Sequence, residues 1–434
     1  MKRVNRTLGK TLFLAVAGLL PAVPSPASPA CGAAPRGAQD SPSSVAFLVY
    51  DAGETLALLP VADRLEELGF VVDWMPLTPW TADLLQESGQ EHLALPEGVE
   101  AMPHVQDRHG LPETGYWEDH LARDPPDLAV LGMVSAVQGR LAAGIRAMGI
   151  PTRGYVDGFQ LPGPEAISVR LARGWPEGES GAFGEIWVAT GRVRDGFQAL
   201  GIPTRVAGQP TLESWRRGAE EVDPATIRRI QGLAPGDRVL LWAGQYGDGY
   251  AETLDRFLQV LRPVLASDST LVLVLSHHPR THGEVEAAAL QRLASASRGG
   301  AAAPPRAVMM SDGLTTMEMA TASEVVLTWT STVATQAAFM GKQAVYFSPP
   351  EGFDLHLVEE GGALLAEGAD LPGMLRGRLD HPRSSEAVRR ALLEAGYVVD
   401  ADRRMAEMIA GAVAGAAPAG PPTPGFPDSE PRGR

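Results

Sequence analysis

Two hydroxyl residues open a helix-like segment in the second half of the chain, where they can meet an anion. The stretch 325–347, VVLTWTSTVATQAAFMGKQAVYF, has apolar runs on both sides of a segment that begins with Ser331 and Thr332. A hydroxyl at a helix start caps it by accepting from backbone amides. The same start also presents free N–H groups and the positive end of the helix dipole to a phosphate. The sequence leaves both roles open.

Gln336 extends this candidate site by one helical turn. It follows Thr332 by four residues, so the two side chains lie on the same helix face. An amide at this position can reach a group attached to a bound phosphate, such as a ribose.

Two further strand-to-helix junctions carry residues suited to phosphate. The segment WAGQYGDGYAETL places Gly244, Gly247 and Gly249 where missing side chains let the backbone approach a phosphate closely. A tight turn explains these glycines equally well. The segment LVLSHHPRTH places His278 and Arg280 beyond another apolar run, and both side chains can donate to a diphosphate. Taken alone, His278 also fits an ordinary loop residue.

Carboxylates follow the predicted strands of the first half. Asp51 and Glu54 come directly after the first strand, and Asp157 follows another. A carboxylate at a strand end can act as a general base. Equally, Asp51 and Glu54 can begin the next helix and complement its dipole.

A histidine-bearing segment at 91–120 raises the question of a metal site. Its histidines are His92, His104, His109 and His120. No pair has the i, i+4 spacing of a helical zinc site, so we predict no metal and interpret the segment as a solvated loop or an acceptor lid. Tyr116 and Trp117 either stack on a sugar ring or pack internally.

Length and net charge limit the class of protein. The chain has 434 residues, so two domains of roughly 150 to 200 residues are expected. Its 52 acidic and 37 basic residues give a net charge of −15, which repels the phosphates of DNA and RNA. Nucleic acid is therefore excluded as a partner.

Short apolar stretches alternate with helical patterns, which predicts an α/β protein with parallel sheets covered on both faces. The predicted strands of the first half are 45–50, 70–74, 127–132, 152–156, 185–189 and 204–208, and those of the second half are 238–244, 270–276, 307–310, 324–329 and 343–347. Because the series restarts after RRGAEEVDPAT, we predict two Rossmann-like, doubly wound domains facing across a cleft, at 45–218 and 224–412. Residues 32–44 fit a linker and 415–434 a disordered tail.

The amino terminus has the pattern of an export signal. Four basic residues precede the apolar run TLFLAVAGLLPAV, and residues 1–31 end at Cys31, the only cysteine. This position predicts an exported protein of the cell envelope, with membrane anchoring through a lipidated Cys31 as one form. If the start codon is misassigned, the protein is cytoplasmic. A single cysteine allows no internal disulfide.

These motifs, in this order, resemble the nucleotide-binding domain of GT-B glycosyltransferases and their relatives. The relatives include UDP-N-acetylglucosamine 2-epimerases, lipid A disaccharide synthase and CDP-glycerol glycerophosphotransferases. The second half carries the resemblance in HHPR, TASEVVLTWTSTVATQAAFMGKQAVYF and EGGALLAEGADLPGML. The first half carries it in DAGETLALLPVADRLEELGF, IPTRGYVDGF, GEIWVATGRVRDGFQALGIP and VAGQPTLESW. The His-Pro and Ser-Thr pairing is also similar to the donor site of some bacterial sialyltransferases.

The resemblance implies an enzyme that moves a sugar or sugar-like unit from a nucleotide-activated donor to a surface glycan or lipid acceptor. Epimerisation of the sugar is a variant of this class. The resemblance places binding of the nucleotide-activated donor at Gly244, His278, Arg280, Ser331 and Thr332. It implies no cofactor and no metal, because His278, Arg280 and the helix amides can neutralise the leaving phosphates.

The same resemblance implies a catalytic base in the first domain, Glu54 first and Asp51 second, that takes the proton of the acceptor hydroxyl. One residue departs from the pattern, since many members have Glu where Gln336 stands. An amide satisfies only part of a ribose diol. The second hypothesis is therefore an exported, non-enzymatic GT-B-like protein that binds a glycan or small ligand in the cleft.

Overall fold

The structure is a computed structural model that describes residues 42–97, 99, 114–176, 181–278, 281–297 and 304–415. The predicted leader with Cys31, the tail beyond 415, Arg280, His104 and His109 lie outside the described residues. Twelve strands and sixteen helices are assigned within them.

The first domain contains β1 (Ser44–Val49), α1 (Ala52–Glu67), β2 (Val71–Pro76), α2 (Pro79–Glu87), α3 (Gly115–Arg123), β3 (Leu128–Gly132), α4 (Ala136–Ala147), β4 (Thr152–Val156), α5 (Ile167–Ala172), β5 (Glu185–Val188), α6 (Gly191–Ala199) and β6 (Thr204–Val206). Two connecting helices follow, α7 (Pro210–Glu221) and α8 (Pro224–Ile230). The second domain contains β7 (Arg238–Ala243), α9 (Tyr250–Ser267), β8 (Leu271–Ser276), α10 (Glu284–Ser297), β9 (Ala307–Met309), α11 (Thr316–Ala322), β10 (Val325–Thr328), α12 (Val333–Phe339), β11 (Gln343–Phe347), α13 (His356–Glu359), β12 (Ala363–Ala366), α14 (Leu371–Asp380) and α15 (Ser385–Glu394), and α16 (Ala401–Gly415) ends the described chain.

The strands form two parallel sheets of six strands each. Sheet A has the order β2-β1-β3-β4-β5-β6, and sheet B has the order β12-β11-β10-β7-β8-β9. Trp74 of β2 makes one further parallel bridge to His92, beyond the edge of sheet A. The order of sheet B is that of a doubly wound Rossmann fold, and in each parallel sheet the winding direction changes once. The predicted fold class, α/β with two Rossmann-like domains, is confirmed.

The reversal points decide where ligands bind. In sheet A the winding direction changes between β1 and β3, and in sheet B it changes between β7 and β10. Open parallel sheets bind ligands outside the carboxyl ends of the strands at such a point. Asp51 follows β1 and Gly244 follows β7, so both positions lie at these points.

Helix starts on this edge are set by local hydrogen bonds. Asp51 caps α1 by accepting from the Gly53 N–H, 2.6 Å from its Oδ1. Ser135 and Gln138 form a reciprocal capping box at the start of α4. These caps fix the direction in which the chain leaves β1 and β3.

The last helix, α16, packs on the first domain. Met405, Ala406 and Ile409 join the apolar cluster formed by α1 and one face of sheet A. Asp402, almost fully buried, pairs with Arg64 of α1 and Arg217 of α7. Helix α16 thus contacts the first sheet although it follows the second series of strands in the chain. Helical periodicity shows that a face is apolar and not which sheet covers it.

Candidate active site in the interdomain cleft

A carboxyl pair lies at the reversal point of sheet A. A methyl group on Gly53 would overlap Asp157 Oδ2 and stand 3.2 Å from Asp51 Oδ1, so both carboxyl groups lie beside this glycine. Burial, and then the nearby Asp51 charge, raise the pKa of Asp157 to about 7. Both side chains remain partly accessible. Asp157 can therefore exchange a proton near neutral pH.

Glu54 lies beneath this pair and is fully buried. Its Oε2 accepts from the Tyr50 N–H at 3.0 Å and from Gln138 Nε2 at 2.9 Å. Burial, followed by the charges of Asp51 and Asp157, raises the pKa of Glu54 well above its ordinary value. The absence of a side chain on Gly132 leaves the space that the Glu54 carboxyl occupies. As placed, Glu54 does not face the cleft, while Asp51 and Asp157 do.

The glycine after β7 has a packing role. A side chain on Gly244 would stand 2.5 Å from the Ser276 carbonyl oxygen and 2.7 Å from Glu286 Oε1. The Gly244 N–H donates to that same carbonyl at 3.0 Å. The missing side chain therefore lets the ends of β7 and β8 lie against the buried Glu286 of α10.

His278 lies at the end of β8, next to the loop that follows β7. Its ring lies 4.5 Å from the ring of Tyr246, at an interplanar angle of 51°. In the same loop Gln245 Nε2 donates to Thr330 Oγ1 at 3.1 Å, which joins the loops after β7 and β10. Because β7 separates β8 from β10 in the sheet, His278 and Ser331 lie on one rim, on either side of β7.

The start of α12 satisfies part of its own backbone. The Ser331 N–H donates to Thr328 Oγ1 at 3.2 Å, and Ser331 Oγ accepts from the Val333 N–H at 3.2 Å. Thr332 holds the cap position, is exposed, and makes no capping hydrogen bond with its side chain. Ser331 therefore acts as the cap, and the Thr332 hydroxyl remains available to a ligand.

Gln336 lies on α12 and is partly accessible. Among the described residues its side-chain amide has no hydrogen-bond partner. Its carbonyl oxygen can accept one hydroxyl and its NH2 group can donate two hydrogen bonds.

The longest helix of the second domain begins at the same rim. Helix α9 has 18 residues, and its cap residue is Gly249, in the left-handed conformation with φ 83°. Gly249 supplies no side-chain cap. The Tyr250 N–H donates to the Gly247 carbonyl oxygen at 3.3 Å, so the N–H groups of the next two residues are the ones that can face an anion. Gly249 faces the Trp329 ring, which a side chain at 249 would approach to 3.7 Å.

Loops at the carboxyl ends of the two sheets contact each other. The loop after β4 donates the Leu161 N–H to Asp354 Oδ2 at 2.7 Å, and Arg192 Nη1 lies 2.6 Å from the same oxygen. Phe159 stacks on His356 with ring centroids 6.2 Å apart. Asp354 and His356 follow β11, so the carboxyl ends of both sheets face one cleft.

Asp354 and its partners were not predicted from the sequence. Burial alone would raise the pKa of Asp354, but hydrogen bonds from Arg192 and the Leu161 N–H lower it. The one sequence feature that could have indicated Asp354 is its position in a loop that follows a strand. Nothing local indicates a partner 193 residues away.

The remaining sequence candidates have structural roles. Trp117 is buried and its Nε1 donates to the Pro76 carbonyl oxygen at 3.1 Å, so it packs internally. Tyr116 Oη donates to the Ala94 carbonyl oxygen at 2.8 Å.

In the described parts of the chain, no group of three or more His, Cys, Asp or Glu side chains is arranged to hold a metal ion. The same residues include no helix both long and apolar enough to cross a bilayer.

Two doubly wound domains whose strand ends face each other across a cleft define the GT-B architecture. Solved GT-B structures match most of the chain. UDP-GlcNAc 2-epimerase from Neisseria meningitidis, solved with UDP-GlcNAc bound, matches with a TM-score of 0.59 and 13% identity over 86% of this chain and 99% of its own. A glycosyltransferase from Rickettsia africae matches with a TM-score of 0.61 and 9% identity over 87% and 100%.

MurG from Acinetobacter baumannii matches with a TM-score of 0.52 and 14% identity, over 85% of this chain and 100% of its own. No protein-family model matches the sequence, and no curated protein does. These likenesses show that the chain has the GT-B fold.

Proposed function

We propose that this protein is a GT-B enzyme that moves a sugar or sugar-like unit from a nucleotide-activated donor to a glycan or lipid acceptor. One observation carries the proposal. The carboxyl pair Asp51 and Asp157 lies at the carboxyl end of sheet A. The Leu161–Asp354 hydrogen bond joins this end to the carboxyl end of sheet B, where the loops and helix that carry His278 and Gln336 begin. The solved relatives named above include an epimerase with UDP-GlcNAc bound.

Asp157 is the proposed base. Its pKa of about 7 lets a large fraction of the side chain be ionised at neutral pH while it remains basic enough to accept a proton. In the proposed step the acceptor hydroxyl gives its proton to Asp157, and the acceptor oxygen bonds to the anomeric carbon. The bond from that carbon to the phosphate oxygen breaks, and the nucleotide leaves with the electron pair.

Asp51 and Glu54 act through Asp157 in this scheme. The Asp51 charge raises the pKa of Asp157, and the Gly53 N–H fixes the Asp51 orientation. Glu54, held by Tyr50 and Gln138, lies below them. Charge on the leaving phosphates is met by the open start of α9 and by His278. These groups reduce the need for a divalent metal.

The donor site is tested by thermal shift with UDP, CDP and CMP. We expect at least one nucleotide to raise the melting temperature. His278→Ala should weaken that binding about tenfold, the effect of losing a hydrogen bond to a charged group. Gln336→Glu should strengthen it by about 1 kcal/mol if position 336 holds the ribose diol.

His381→Ala and Gln259→Glu, at exposed positions away from the cleft, are the matched controls. If no nucleotide stabilises any variant, the donor-site assignment is wrong. Transfer itself is tested with the nucleotide sugar whose nucleotide binds best, by release of the free nucleotide in the presence of a glycan or lipid acceptor.

A second candidate function is an exported GT-B-like protein that binds a glycan or small ligand without chemistry. The internal capping at Ser331 and the amide of Gln336 favour this second function, because both reduce the number of hydrogen-bonding groups available to a nucleotide-activated sugar. Fractionation with mass determination of the mature amino terminus separates the two. A chain processed or acylated at Cys31 favours the binding protein, and a full-length cytosolic chain favours the enzyme.

A further inference from the structure

A second concave site lies on the first domain, between the β4-β5-β6 edge of sheet A and α16. It is a groove of about 910 Å3. Arg153 and Glu185, at the amino-terminal ends of β4 and β5, form part of one wall, and Arg205 of β6 continues it. The groove therefore reaches the end of sheet A opposite to the carboxyl pair.

The strand register places these wall residues on one face of the sheet. Arg153 pairs with Glu185, and Arg205 pairs with Trp187, two residues further along β5. Side chains two residues apart on a strand point to the same face. Helix α16 covers the inner part of this face and leaves the outer part open as the groove.

The groove is rich in guanidinium groups although the chain as a whole is acidic. The opposite wall adds Arg403 and Arg404 of α16, together with Asp400 and Glu407. With Arg153, Arg205 and Glu185, the lining has four guanidinium groups and three carboxylates. In a chain of net charge −15 this is a local excess of positive charge.

Two of the four arginines already have acidic partners. Arg153 Nε lies 3.7 Å from Glu185 Oε2, and Arg403 Nε lies 3.6 Å from Glu407 Oε1. Neither Arg205 nor Arg404 forms an ion pair with any described residue. Arg153 Nε is buried, and Arg153 Nη1 donates to the Thr152 carbonyl oxygen at 2.9 Å, so Arg205 and Arg404 are the guanidinium groups left for a ligand.

We propose that this groove binds an anionic saccharide, a sugar chain that bears carboxylate or phosphate groups. Arg205 and Arg404 would hold the anionic groups by charge-assisted hydrogen bonds. Asp400 and Glu407 would accept hydrogen bonds from sugar hydroxyls, which carry the donors that a carboxylate needs. The volume is at the upper end of small-molecule sites and fits several sugar rings.

The mixed charge of the lining argues against other anions. A nucleotide or nucleic acid concentrates phosphate charge, which the three carboxylates oppose, and it needs an aromatic surface for its base. Tyr397, the one aromatic residue in the lining, is 5% exposed. A lipid surface favours protruding apolar side chains, and Val399 is the one large apolar side chain of the lining that is strongly exposed.

Isothermal titration calorimetry on the full chain tests this proposal with trigalacturonate, glucose 6-phosphate, inorganic phosphate and neutral maltotriose. The test variant is the double substitution Arg205→Gln with Arg404→Gln. The control is Arg376→Gln with Arg390→Gln, which removes the same charge from exposed positions on α14 and α15. Circular dichroism melting confirms that both variants fold.

We expect trigalacturonate or glucose 6-phosphate to bind the natural chain, and maltotriose to bind at least tenfold more weakly. The groove variant should lose at least tenfold in affinity, while the control binds like the natural chain and both keep the same UDP thermal shift. The carboxylate and phosphate probes show which anionic group is preferred.

Several results would overturn the proposal. They are absence of binding by both acidic sugars, equal affinity in the groove variant, an equal loss in the control, or maltotriose binding as tightly as trigalacturonate. Binding of inorganic phosphate as tight as that of glucose 6-phosphate would show an ion site without sugar recognition. Vesicles of phosphatidylglycerol that bind through Arg205 and Arg404, when the sugars do not, would replace the saccharide by a lipid surface. A failure here leaves the cleft function untouched, because the two sites share no residue.

Discussion

The Leu161 N–H donates to Asp354 Oδ2 at 2.7 Å and thereby joins the loop after β4 to the loop after β11. Arg192 Nη1 lies 2.6 Å from the same carboxylate oxygen. One carboxylate of the second domain thus holds two donors of the first. This contact brings together the two rims on which the proposed reaction depends.

Asp354→Ala should loosen the contact between the domains. It removes two hydrogen bonds between the domains and a third, within the second domain, from the His356 N–H at 3.0 Å. It also leaves Arg192 without its nearest partner, so the free energy of unfolding should fall by about 1 to 3 kcal/mol. Chemical denaturation measures this loss, and small-angle scattering should show a larger radius of gyration. Glu359→Gln is the matched control, since Glu359 is 71% exposed and lies 3.7 Å from Arg192. It should change stability by under about 0.5 kcal/mol. An unchanged radius in Asp354→Ala would contradict the role given to this contact.

Gly132→Ala should be destabilising because the new methyl group would overlap the Glu54 carboxyl. Overpacking of this kind costs about 1 to 3 kcal/mol. Gly373→Ala, in the exposed part of α14 with no atom near the new methyl, should be neutral or stabilise by about 0.5 to 1 kcal/mol through helix propensity. Urea unfolding compares the two. Equal stability of both variants would mean that Glu54 does not occupy the space above Gly132.

Asp157 should make stability and activity depend on pH in opposite directions. Its folded pKa of about 7 lies above the ordinary value of 3.8, so the folded chain holds this proton more tightly than the unfolded chain does. The resulting stability is fully present below about pH 4 and is lost as the pH rises through about 7. At pH 8 the free energy of unfolding of Asp157→Asn should therefore be about 2 kcal/mol higher than that of the natural chain, a figure that discounts the pKa shift for the partial exposure of Asp157.

Activity should respond to the ionised form of Asp157. The proposed kcat/KM rises with pH up to about 7 and then levels, and Asp157→Asn removes most of it. Asp195→Asn, at an exposed surface carboxylate, serves as the control and should follow the natural chain in both measurements. A flat stability difference between pH 4 and 8 would rule out the raised pKa.

Asp402→Asn should release α16 from the first domain. The Asp402 carboxylate is 1% exposed and holds both Arg64 and Arg217. The variant removes the acidic partner of Arg217 and leaves Arg64 paired with Glu67 alone. Loss of one member of a buried ion pair costs about 3 to 5 kcal/mol, and the exposure of Arg64 lowers our expectation to about 2 to 3. Hydrogen exchange should then be faster in α16. Glu407→Gln, on the same helix but 65% exposed, should change neither measurement.

Most of the secondary structure, and the sheet edge on which the candidate site lies, could be predicted from local sequence patterns. Eleven strands were predicted from apolar runs, and β4 and β11 have the predicted bounds. The twelfth, β12, was missed because ALLA is short and reads equally well as helix. Periodicity and turn residues are local, so they identify strand ends, and with them Asp51, Asp157, His278 and Ser331, without any knowledge of the fold.

Which of these residues come together, and how accessible each one is to water, depends on the strand order and on the packing of the whole chain. Strand order placed Asp157 beside Asp51 and put Glu54 out of reach of the cleft. The packing of the two domains also brings Asp354 into contact with Leu161 and places α16 against sheet A. Local patterns cannot show this, because pKa, accessibility and pairing depend on neighbours in space, and residues as far apart in the chain as 161 and 354 leave no local pattern that records their contact.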